Sequence, residues 1–160
     1  MILIGMFDSP FVRRVAVTLK LYGMAFEHRD WSVGRDFDKI RQYNPLGRVP
    51  TLVLNDGEAL LESSAILDYL NECVGSERSL LPASGAPRRL ALRCMAMAAG
   101  AAEKAALTVY ERAFRPAEKR HEPWVARCTT QARGALDELE RCAMPEFTAT
   151  RAEWFAPDRA

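Results

Sequence analysis

RVPTLVLNDGEALLE, residues 48–62, carries the clearest local signal in the chain. Two apolar runs flank an Asn-Asp-Gly sequence at residues 55–57, and these residue types suit a tight turn. The stretch therefore predicts a β-hairpin. Directly after it, SSAILDYLNECVG (63–75) repeats its apolar side chains at helical spacing, so we expect a helix to follow the hairpin. Either Ser63 or Ser64 can cap this helix at its N-terminus.

The residues before the hairpin alternate between strand-like and helix-like runs. A short apolar run leads to Ser9, a good N-cap residue, and to Pro10, which suits the first turn of a helix. The elements predicted here are a strand at 2–7, a helix from Pro10 to a C-terminal cap at Gly23, a strand at 25–31 and a weak helix over 33–44. Together with the hairpin and the helix after it, they give the order β-α-β-(α)-β-β-α. This order predicts a small α/β domain with a mixed four-stranded sheet.

The second half of the chain differs in composition from the first. Gly, Ser and Pro are frequent just after residue 75, which predicts a linker between domains. Beyond the linker, Ala, Met, Arg and Glu dominate, and the apolar residues recur at helical spacing. The predicted organisation is a domain at 1–75, a linker at 76–87, and a partial all-helical domain at 88–160 that contains long helices at 88–114 and 123–143 and a tail, 146–160, without assigned structure.

Composition and charge narrow the classes of function. The 160 residues include 22 Lys and Arg against 21 Asp and Glu, a formal net charge of +1. This balance argues against a nucleic acid or an anionic membrane surface as the main partner. No apolar run approaches the ~20 residues needed to span a bilayer. Asp8 interrupts the apolar N-terminus too early for a signal peptide.

The cysteines and histidines predict no metal site. No CxxC pair is present, and His28 and His121 are isolated from each other and from any cluster of cysteines. The four cysteines are Cys73, Cys94, Cys128 and Cys142. Because they lie far apart in helical segments, we expect four buried or half-buried, reduced thiols in a reducing compartment and hence a cytoplasmic protein.

Three short motifs together resemble the glutathione S-transferase family. SPFVRRV (9–15) follows the first strand, NPLGRVPTL (44–52) enters the third, and ESSAIL (62–67) opens the helix after the hairpin. The serine at position 9 is similar to that of bacterial and plant tau-like members. The resemblance implies an α/β thioredoxin-like N-terminal domain followed by an all-α C-terminal domain. Since family members usually continue further, it also implies that the helical domain is incomplete here.

Ser9 is the expected catalytic residue. The resemblance implies glutathione as co-substrate, and a thiol with a pKa near 8.5 is only about 3% thiolate at pH 7. Lowering that pKa by ~2 units takes about 2.7 kcal/mol of preferential stabilisation. One charge-assisted hydrogen bond, worth ~1.5–3 kcal/mol, together with the helix dipole is of that size. The alternative is that Ser9 only caps the helix, an effect worth ~1 kcal/mol.

The resemblance also implies how the middle of glutathione is bound. It implies a cis Val49-Pro50 peptide bond, with the backbone N–H and C=O of Val49 pairing with the cysteinyl portion as an added strand would. It implies that Arg48 meets the glycyl carboxylate, although an exposed strand-edge cation is an equally good interpretation of that residue. Phe11 is expected to wall the thiol, and Arg13 to face solvent or another subunit.

The acidic end of glutathione is expected at Glu62 and Ser63. At a helix start, the hydroxyl and backbone N–H of Ser63 can hold the γ-glutamyl carboxylate, and Glu62 can pair with the neighbouring ammonium group. An acid followed by a hydroxyl at a helix N-terminus is also ordinary capping chemistry. The two residues therefore indicate a binding site only in combination with the other motifs.

These residues predict a glutathione S-transferase that activates glutathione as a thiolate for attack on a small electrophile. The alternatives are a non-catalytic module that binds glutathione or a protein, and a glutathione-dependent isomerase or dehalogenase. A reductase with its own dithiol is excluded, since Ser9 replaces the needed cysteine and position 12 is a valine. The expected partners are glutathione and an electrophile, with the protein acting as a homodimer and without a metal, nucleic acid or membrane.

Overall fold

The computed structural model describes residues 1–143, so the tail at 146–160 lies outside the described residues. The chain forms two compact units, the first being Met1–Gly85 and the second beginning at Ala86. The strands are β1 (Ile2–Ile4), β2 (Glu27–Arg29), β3 (Thr51–Val53) and β4 (Ala59–Leu61). The helices are α1 (Pro10–Leu21), α2 (Phe37–Arg41), α3 (Ser63–Val74), α4 (Gly85–Ala113), a short 3₁₀ helix (Ala117–Lys119) and α5 (Glu122–Ala143). The predicted order of elements is confirmed.

The hairpin predicted at 48–62 is formed by β3 and β4. The two strands pair antiparallel, with Val53 opposite Ala59. The turn is closed by a 2.8 Å hydrogen bond from the Leu54 N–H to the Glu58 carbonyl. Gly57 has a φ of 94°, a conformation that glycine adopts without steric cost. The glycine of the Asn-Asp-Gly sequence is therefore needed for this turn.

One mixed sheet organises the first unit. Its strand order is β2-β1-β3-β4. β1 runs parallel to β2 and antiparallel to β3. The parallel pair needs a crossover connection, and α1 supplies it between β1 and β2. The mixed four-stranded sheet predicted from the sequence is confirmed.

The core of the first unit comes from helices and strands that alternate in the sequence. α1 and α3 pack against each other, and each buries one apolar face. Ile40 of α2 packs with Ile4 and Val53 in a separate buried cluster. The buried apolar side chains are Val12, Val15, Ala16 and Leu19 in α1 and Ile66, Leu67 and Leu70 in α3.

The predicted capping of α3 is wrong. The N-cap is Glu62, not Ser63 or Ser64, and its side chain accepts a 3.4 Å hydrogen bond from the Ser64 N–H. Ser63 is the first residue of the helix. Glu62 can take this place because its carboxylate reaches forward to the free N–H groups of the first turn, as the shorter side chains of Ser and Asp usually do.

The second unit contains two long helices. α4 begins at Gly85, three residues before the predicted start, because Pro87 is tolerated in the first turn of a helix and does not belong to the linker. α4 and α5 are antiparallel, since Arg93 near the start of α4 pairs with Glu138 near the end of α5 at 2.7 Å. At the opposite ends, the Glu111 carboxylate accepts the N–H of His121 at 3.0 Å.

All four cysteines are free thiols. Cys128 on α5 is buried and Cys94 and Cys142 are half-buried, but Cys73 near the end of α3 is exposed, so the predicted burial is wrong for Cys73. Within residues 1–143, no helix is both long and apolar enough to cross a membrane. No group of three or more His, Cys, Asp or Glu side chains in the same residues could hold a metal ion.

Candidate functional site

The three sequence motifs leave the sheet at the same end. The strand register places Ile4 opposite Thr51, and Thr51 opposite Leu61. Three segments therefore start from one row of the sheet. They are the segment that leads from β1 to Ser9, residues 48–50 before β3, and Glu62 after β4. Residues separated by more than fifty positions in sequence are brought to one edge in this way.

Gly5 determines how closely two of these segments approach each other. Its φ is 129°, and a Cβ atom at this position would lie 2.5 Å from Cγ2 of Val12 and 2.7 Å from Cβ of Val49. No side chain fits in that space, so only glycine allows the start of α1 and the segment before β3 to meet. Gly5 was not predicted as a site residue, although a glycine that ends an apolar strand is a signal for close backbone approach.

Ser9 is the N-cap of α1, as predicted. Its backbone is extended, and its Oγ accepts a 3.4 Å hydrogen bond from the Val12 N–H, with Pro10 in the first turn. A serine hydroxyl has one hydrogen to donate and two lone pairs to accept with. The capping bond uses one lone pair, so the hydrogen stays available for a negatively charged partner. Capping the helix and donating to a thiolate are therefore compatible roles for Ser9.

Two further residues of the first motif lie close to Ser9. Phe11 is half-buried in the first turn of α1. Arg13 is exposed, but its guanidinium is engaged: Nε and Nη2 donate to the Phe7 carbonyl at 3.0 and 2.8 Å. The expectation that Arg13 faces solvent or another subunit therefore misses its contact, which lies within the loop that precedes Ser9.

The segment before β3 presents the backbone of Val49. The Val49-Pro50 peptide bond is cis, as the resemblance implies. No backbone hydrogen bond of residues 1–143 engages the N–H or C=O of Val49. Arg48 is exposed, and none of the ion pairs in the described part of the chain involves its guanidinium. Val49 thus offers an unused donor and an unused acceptor for strand-like pairing.

Asn44 holds this segment in place. It is 2% exposed, and its side-chain amide donates to the Arg48 carbonyl at 2.9 Å. Its Oδ1 accepts the Leu46 N–H at 3.0 Å. Asn44 was not predicted as a site residue, although an Asn before a Pro signals a turn. The structure adds that this Asn bridges both ends of the turn before Val49.

Glu62 has an unusual backbone conformation. Its φ is 70° and ψ 130°, in a region that non-glycine residues rarely adopt, and it is the one such residue with a positive φ among the described residues. Conformations of this kind cost about 1–3 kcal/mol and concentrate at binding and catalytic sites. The strained residue therefore supports the expectation that position 62 belongs to a functional site.

The carboxylate of Glu62 is held as an anion. Burial acts to raise the pKa of Glu62, but hydrogen bonds from Ser63 and Ser64 and the charge of Arg14 outweigh burial and lower it. The Ser63 hydroxyl donates to Oε1 at 2.9 Å, and Ser63 itself is 1% exposed. Both the Ser63 hydroxyl and the Ser64 N–H donate to Oε1, and neither of these two bonds uses Oε2.

Arg14 is a residue of this region that sequence analysis missed. It is half-buried on α1, and its Nε has no hydrogen-bond partner among residues 1–143. Burial lowers the pKa of Arg14, while the negative charge of Glu62 works against that change. The helical spacing of α1 gave no signal for this contact, because Glu62 lies 48 positions further along the chain.

The chain is similar in sequence to a family of known proteins. The sequence profile described as "Glutathione S-transferase, N-terminal domain" matches residues 3–78. The uncharacterized GST-like protein YibF of Escherichia coli is 31% identical over 138 residues, which cover 86% of this chain and 67% of YibF. Glutathione S-transferase U8 of Arabidopsis thaliana is 29% identical over 56% of this chain and 40% of its own length.

Two solved structures of glutathione transferases are similar to this chain in sequence and in fold. A glutathione transferase family member from Pseudomonas fluorescens, with glutathione bound, is 35% identical, with a TM-score of 0.82 over 92% of this chain and 74% of its own. A glutathione S-transferase from Methylobacterium radiotolerans in complex with glutathione sulfonate is 30% identical, with a TM-score of 0.82 over 90% of this chain and 67% of its own.

The chain belongs to the glutathione S-transferase family. Its first unit has the thioredoxin-like mixed sheet of that family, and a helical region follows it. Both the fold class and the family expected from the three motifs are confirmed.

Proposed function

We propose that this protein is a glutathione transferase that binds glutathione across the three segments and activates its thiol through Ser9. One observation carries the proposal: the strand register brings the segments that hold Ser9, Val49 and Glu62 to a single end of the sheet. Homologous proteins crystallised with glutathione or its derivatives support the choice of ligand.

The γ-glutamyl end is assigned to the start of α3. Its ammonium group pairs with the carboxylate of Glu62, whose ionised state is favoured by its neighbours. Its carboxylate faces the first turn of α3, beside Ser63, where backbone N–H groups and the positive end of the helix dipole attract an anion. A zwitterionic amino-acid head thus meets charges of opposite sign on adjacent residues.

The rest of the tripeptide follows the segment before β3. The cysteinyl portion pairs with the N–H and C=O of Val49, next to the cis bond to Pro50, and Arg48 binds the glycyl carboxylate. These contacts place the sulfur towards the start of α1, where Phe11 walls it from water. Holding both the thiol and its activating group in one geometry removes much of the entropic part of the barrier.

Ser9 stabilises the nucleophile of the chemical step, which is the thiolate of glutathione. Its hydroxyl hydrogen donates to the sulfur, which favours the thiolate, and the thiol proton leaves to solvent. The thiolate then forms a new carbon–sulfur bond with a small electrophile, and a leaving group departs with the bonding electrons if the reaction is a substitution. Dehalogenation is the case in which that leaving group is a halide ion.

From the resemblance to the family, we also propose that the protein is a homodimer, that it is located in the cytoplasm and that its electrophile is a small molecule. A reducing compartment suits the reaction, because glutathione must stay a thiol and the four cysteines of the chain are free.

The first experiment is calorimetric titration of the protein with reduced glutathione, followed by conjugation to an activated aryl halide. We expect saturable binding and turnover. In Ser9→Ala, glutathione affinity stays within about threefold, while conjugation falls roughly 10- to 100-fold, the loss of one hydrogen bond to a charged group. Ser9→Thr keeps the hydroxyl and retains most of the activity.

The control is Ser76→Ala, which removes a hydroxyl from an exposed residue after α3. Equal conjugation rates for Ser9→Ala and the unmodified protein would remove Ser9 from the mechanism. Saturable binding without turnover by any form would identify a glutathione-binding module in place of an enzyme. A folded protein that fails to bind glutathione would contradict the proposal as a whole.

A further inference from the structure

The loop from Gly5 to Ser9 connects β1 to the start of α1 and is held by β2 on one side. The Gly5 N–H donates to the Arg29 carbonyl at 2.9 Å. The Gly5 carbonyl lies 2.7 Å from Nε2 of His28. Since a carbonyl oxygen can only accept, Nε2 must carry the hydrogen and donate it. Two neighbouring residues of β2 thus bind both polar groups of Gly5, although β1 ends one residue earlier, at Ile4.

The ring of His28 makes a second contact with the loop. It stacks on Phe7 with ring centroids 3.9 Å apart and an angle of 8° between the planes. Phe7 is 42% exposed, so the stack, and not burial in the core, defines where this side chain lies. His28 therefore contacts the loop at two points that lie two residues apart, one on the backbone and one on a side chain.

Arg13 completes the support of the loop from α1. Two of its guanidinium nitrogens, Nε and Nη2, donate to the Phe7 carbonyl, so backbone and side chain of Phe7 are each held by a different element. Phe7 is two residues before Ser9. Within the loop itself, residues 5–9, one hydrogen bond joins two backbone groups: the Ser9 N–H donates to the Met6 carbonyl at 3.2 Å. A displacement of Gly5 or Phe7 would accordingly move Ser9.

We propose that His28 is a positioning residue for Ser9: it fixes Gly5 and Phe7 and thereby sets the point from which the Ser9 hydroxyl meets the sulfur of glutathione. This inference rests on the proposed function of Ser9. His28 touches neither the sulfur nor the electrophile. Its effect is on geometry, and catalytic groups must be held within roughly 0.5 Å of their productive position to be effective.

A direct readout is the pKa of the thiol of glutathione when it is bound to the protein, measured from the ultraviolet absorbance of the thiolate as pH is varied. His28→Ala removes both contacts and is expected to raise that pKa by about one unit, and to lower the conjugation rate roughly tenfold. Glutathione affinity is expected to stay within about threefold of the unmodified protein, because the residues assigned to bind the tripeptide are untouched.

Two variants separate the contacts and guard against misfolding. Phe7→Leu removes the ring stack from an exposed position and keeps the bond from His28 to Gly5; His28→Gln keeps an amide donor and loses the stack. Both are expected to give thiol pKa values between those of His28→Ala and the unmodified protein. The control is His121→Ala, at the other histidine of the chain, which is exposed in the second unit.

The outcomes distinguish this inference from the function on which it rests. A thiol pKa in His28→Ala, His28→Gln and Phe7→Leu equal to that of the unmodified protein would overturn the inference alone. Equal losses of stability and affinity without a change in thiol pKa would also overturn it, because they describe a purely structural residue. An unmodified protein that holds no thiolate at all would overturn the proposed function, and this inference with it.

Discussion

The two units of the chain place their apolar residues differently. In residues 1–85, fully buried side chains come from two strands and three helices, among them Leu3, Leu52, Leu19, Ile40 and Ile66. In residues 86–143, the buried apolar residues are Ala101, Val125 and Cys128. The first unit therefore has a core of large side chains, whereas the described part of the second has few of them.

The exposed residues show the same difference. α4 has 29 residues but buries only Ala101 and Glu111. Large apolar side chains on the two long helices and between them stay exposed in this structure: Leu90, Leu92, Val109, Tyr110, Phe114, Trp124 and Leu136. Ala-rich helices gain stability from intrinsic propensity, which does not require a large core. Intrinsic helix propensity therefore contributes most to the second unit, while burial of large apolar side chains contributes most to the first.

The largest expected effect on stability comes from replacing a buried leucine of the first unit, and an exposed leucine of the second unit serves for comparison. Leu19 is fully buried on α1, and Leu136 is 55% exposed on α5. We expect Leu19→Ala to lower the free energy of unfolding by about 2–5 kcal/mol, because it removes buried surface and leaves a cavity. Leu136→Ala is expected to change it by less than ~0.5 kcal/mol. Urea unfolding followed by fluorescence gives both values.

Each leucine is measured with a tryptophan of its own unit. Replacing Trp124 and Trp154 with Phe leaves Trp31 as the only indole for Leu19→Ala, and replacing Trp31 and Trp154 with Phe leaves Trp124 on α5 as the only indole for Leu136→Ala. Trp31 packs against the cluster around Ile40, so its emission follows the unfolding of that core. A Leu136→Ala loss as large as that of Leu19→Ala would contradict the comparison, since it would show that an exposed leucine supports the folded state as a core residue does.

A smaller effect is expected for the buried carboxylate of the second unit. Glu111 is 7% exposed; its Oε1 accepts the His121 N–H, and its Oε2 pairs with Arg115 Nε at 3.1 Å. Glu111→Gln keeps an acceptor but loses the charge. Because Arg115 is mostly exposed, we expect a loss of only about 1 kcal/mol, seen as faster hydrogen exchange at the start of α5.

The matched control is Glu118→Gln, at an exposed carboxylate in the 3₁₀ helix. It should leave the exchange of the His121 amide unchanged. Should Glu111→Gln also leave that exchange unchanged, the carboxylate would not join the ends of α4 and α5, and helix propensity alone would account for the second unit.

Local patterns in the sequence predicted most of the first unit. The Asn-Asp-Gly turn, the Ser9-Pro10 helix start and the apolar spacing of α3 each act within a few residues, and each is present in the structure. The ends of elements were less well predicted. β1 stops at Ile4, because Gly5 turns the chain out of the strand with a φ of 129°. Local composition does not reveal where such a turn begins.

The sequence motifs predicted the residues of the candidate site, but not the side chains that hold those residues in place. Ser9, Val49 and Glu62 stand within motifs that can be read in sequence. His28 and Gly5 are 23 positions apart, and they meet only because β1 and β2 pair in parallel with Leu3 opposite His28. Contacts that depend on strand register carry no local signal, so the side chains that support the site appear only in the folded structure.

A pH-dependent effect is expected for the buried carboxylate of the first unit, Asp36. Its side chain is 6% exposed and accepts hydrogen bonds from Lys39 Nζ and Arg35 Nε at 2.9 Å and from the Ser32 N–H at 3.1 Å. The bond from Lys39, then that from Ser32 and the charge and bond of Arg35, lower the pKa of Asp36 from 3.8 to about 2, against the opposing effect of burial.

The sign of the pH dependence follows from this lowered pKa. A carboxyl group whose pKa is lower in the folded state stabilises that state above its unfolded pKa, and the contribution is lost as pH falls through the folded value. We therefore expect the difference in stability between the unmodified protein and Asp36→Asn to be constant from pH 7 to about 5, and to shrink between about pH 4 and 2. Thermal unfolding followed by Trp31 fluorescence measures it.

Asp38→Asn is the matched control. Asp36 is the N-cap of α2 and Asp38 lies in the first turn of that helix. The Asp38 carboxylate is 94% exposed and lies 3.9 Å from the Arg41 guanidinium. Its difference from the unmodified protein should stay nearly constant with pH, since exposed pairs of this kind contribute little. Parallel pH curves for Asp36→Asn and Asp38→Asn would show that Asp36 gains nothing from its three donors. A buried carboxylate of the first unit would then contribute no more to stability than an exposed one. The difference between the two units would come from the burial of large apolar side chains alone.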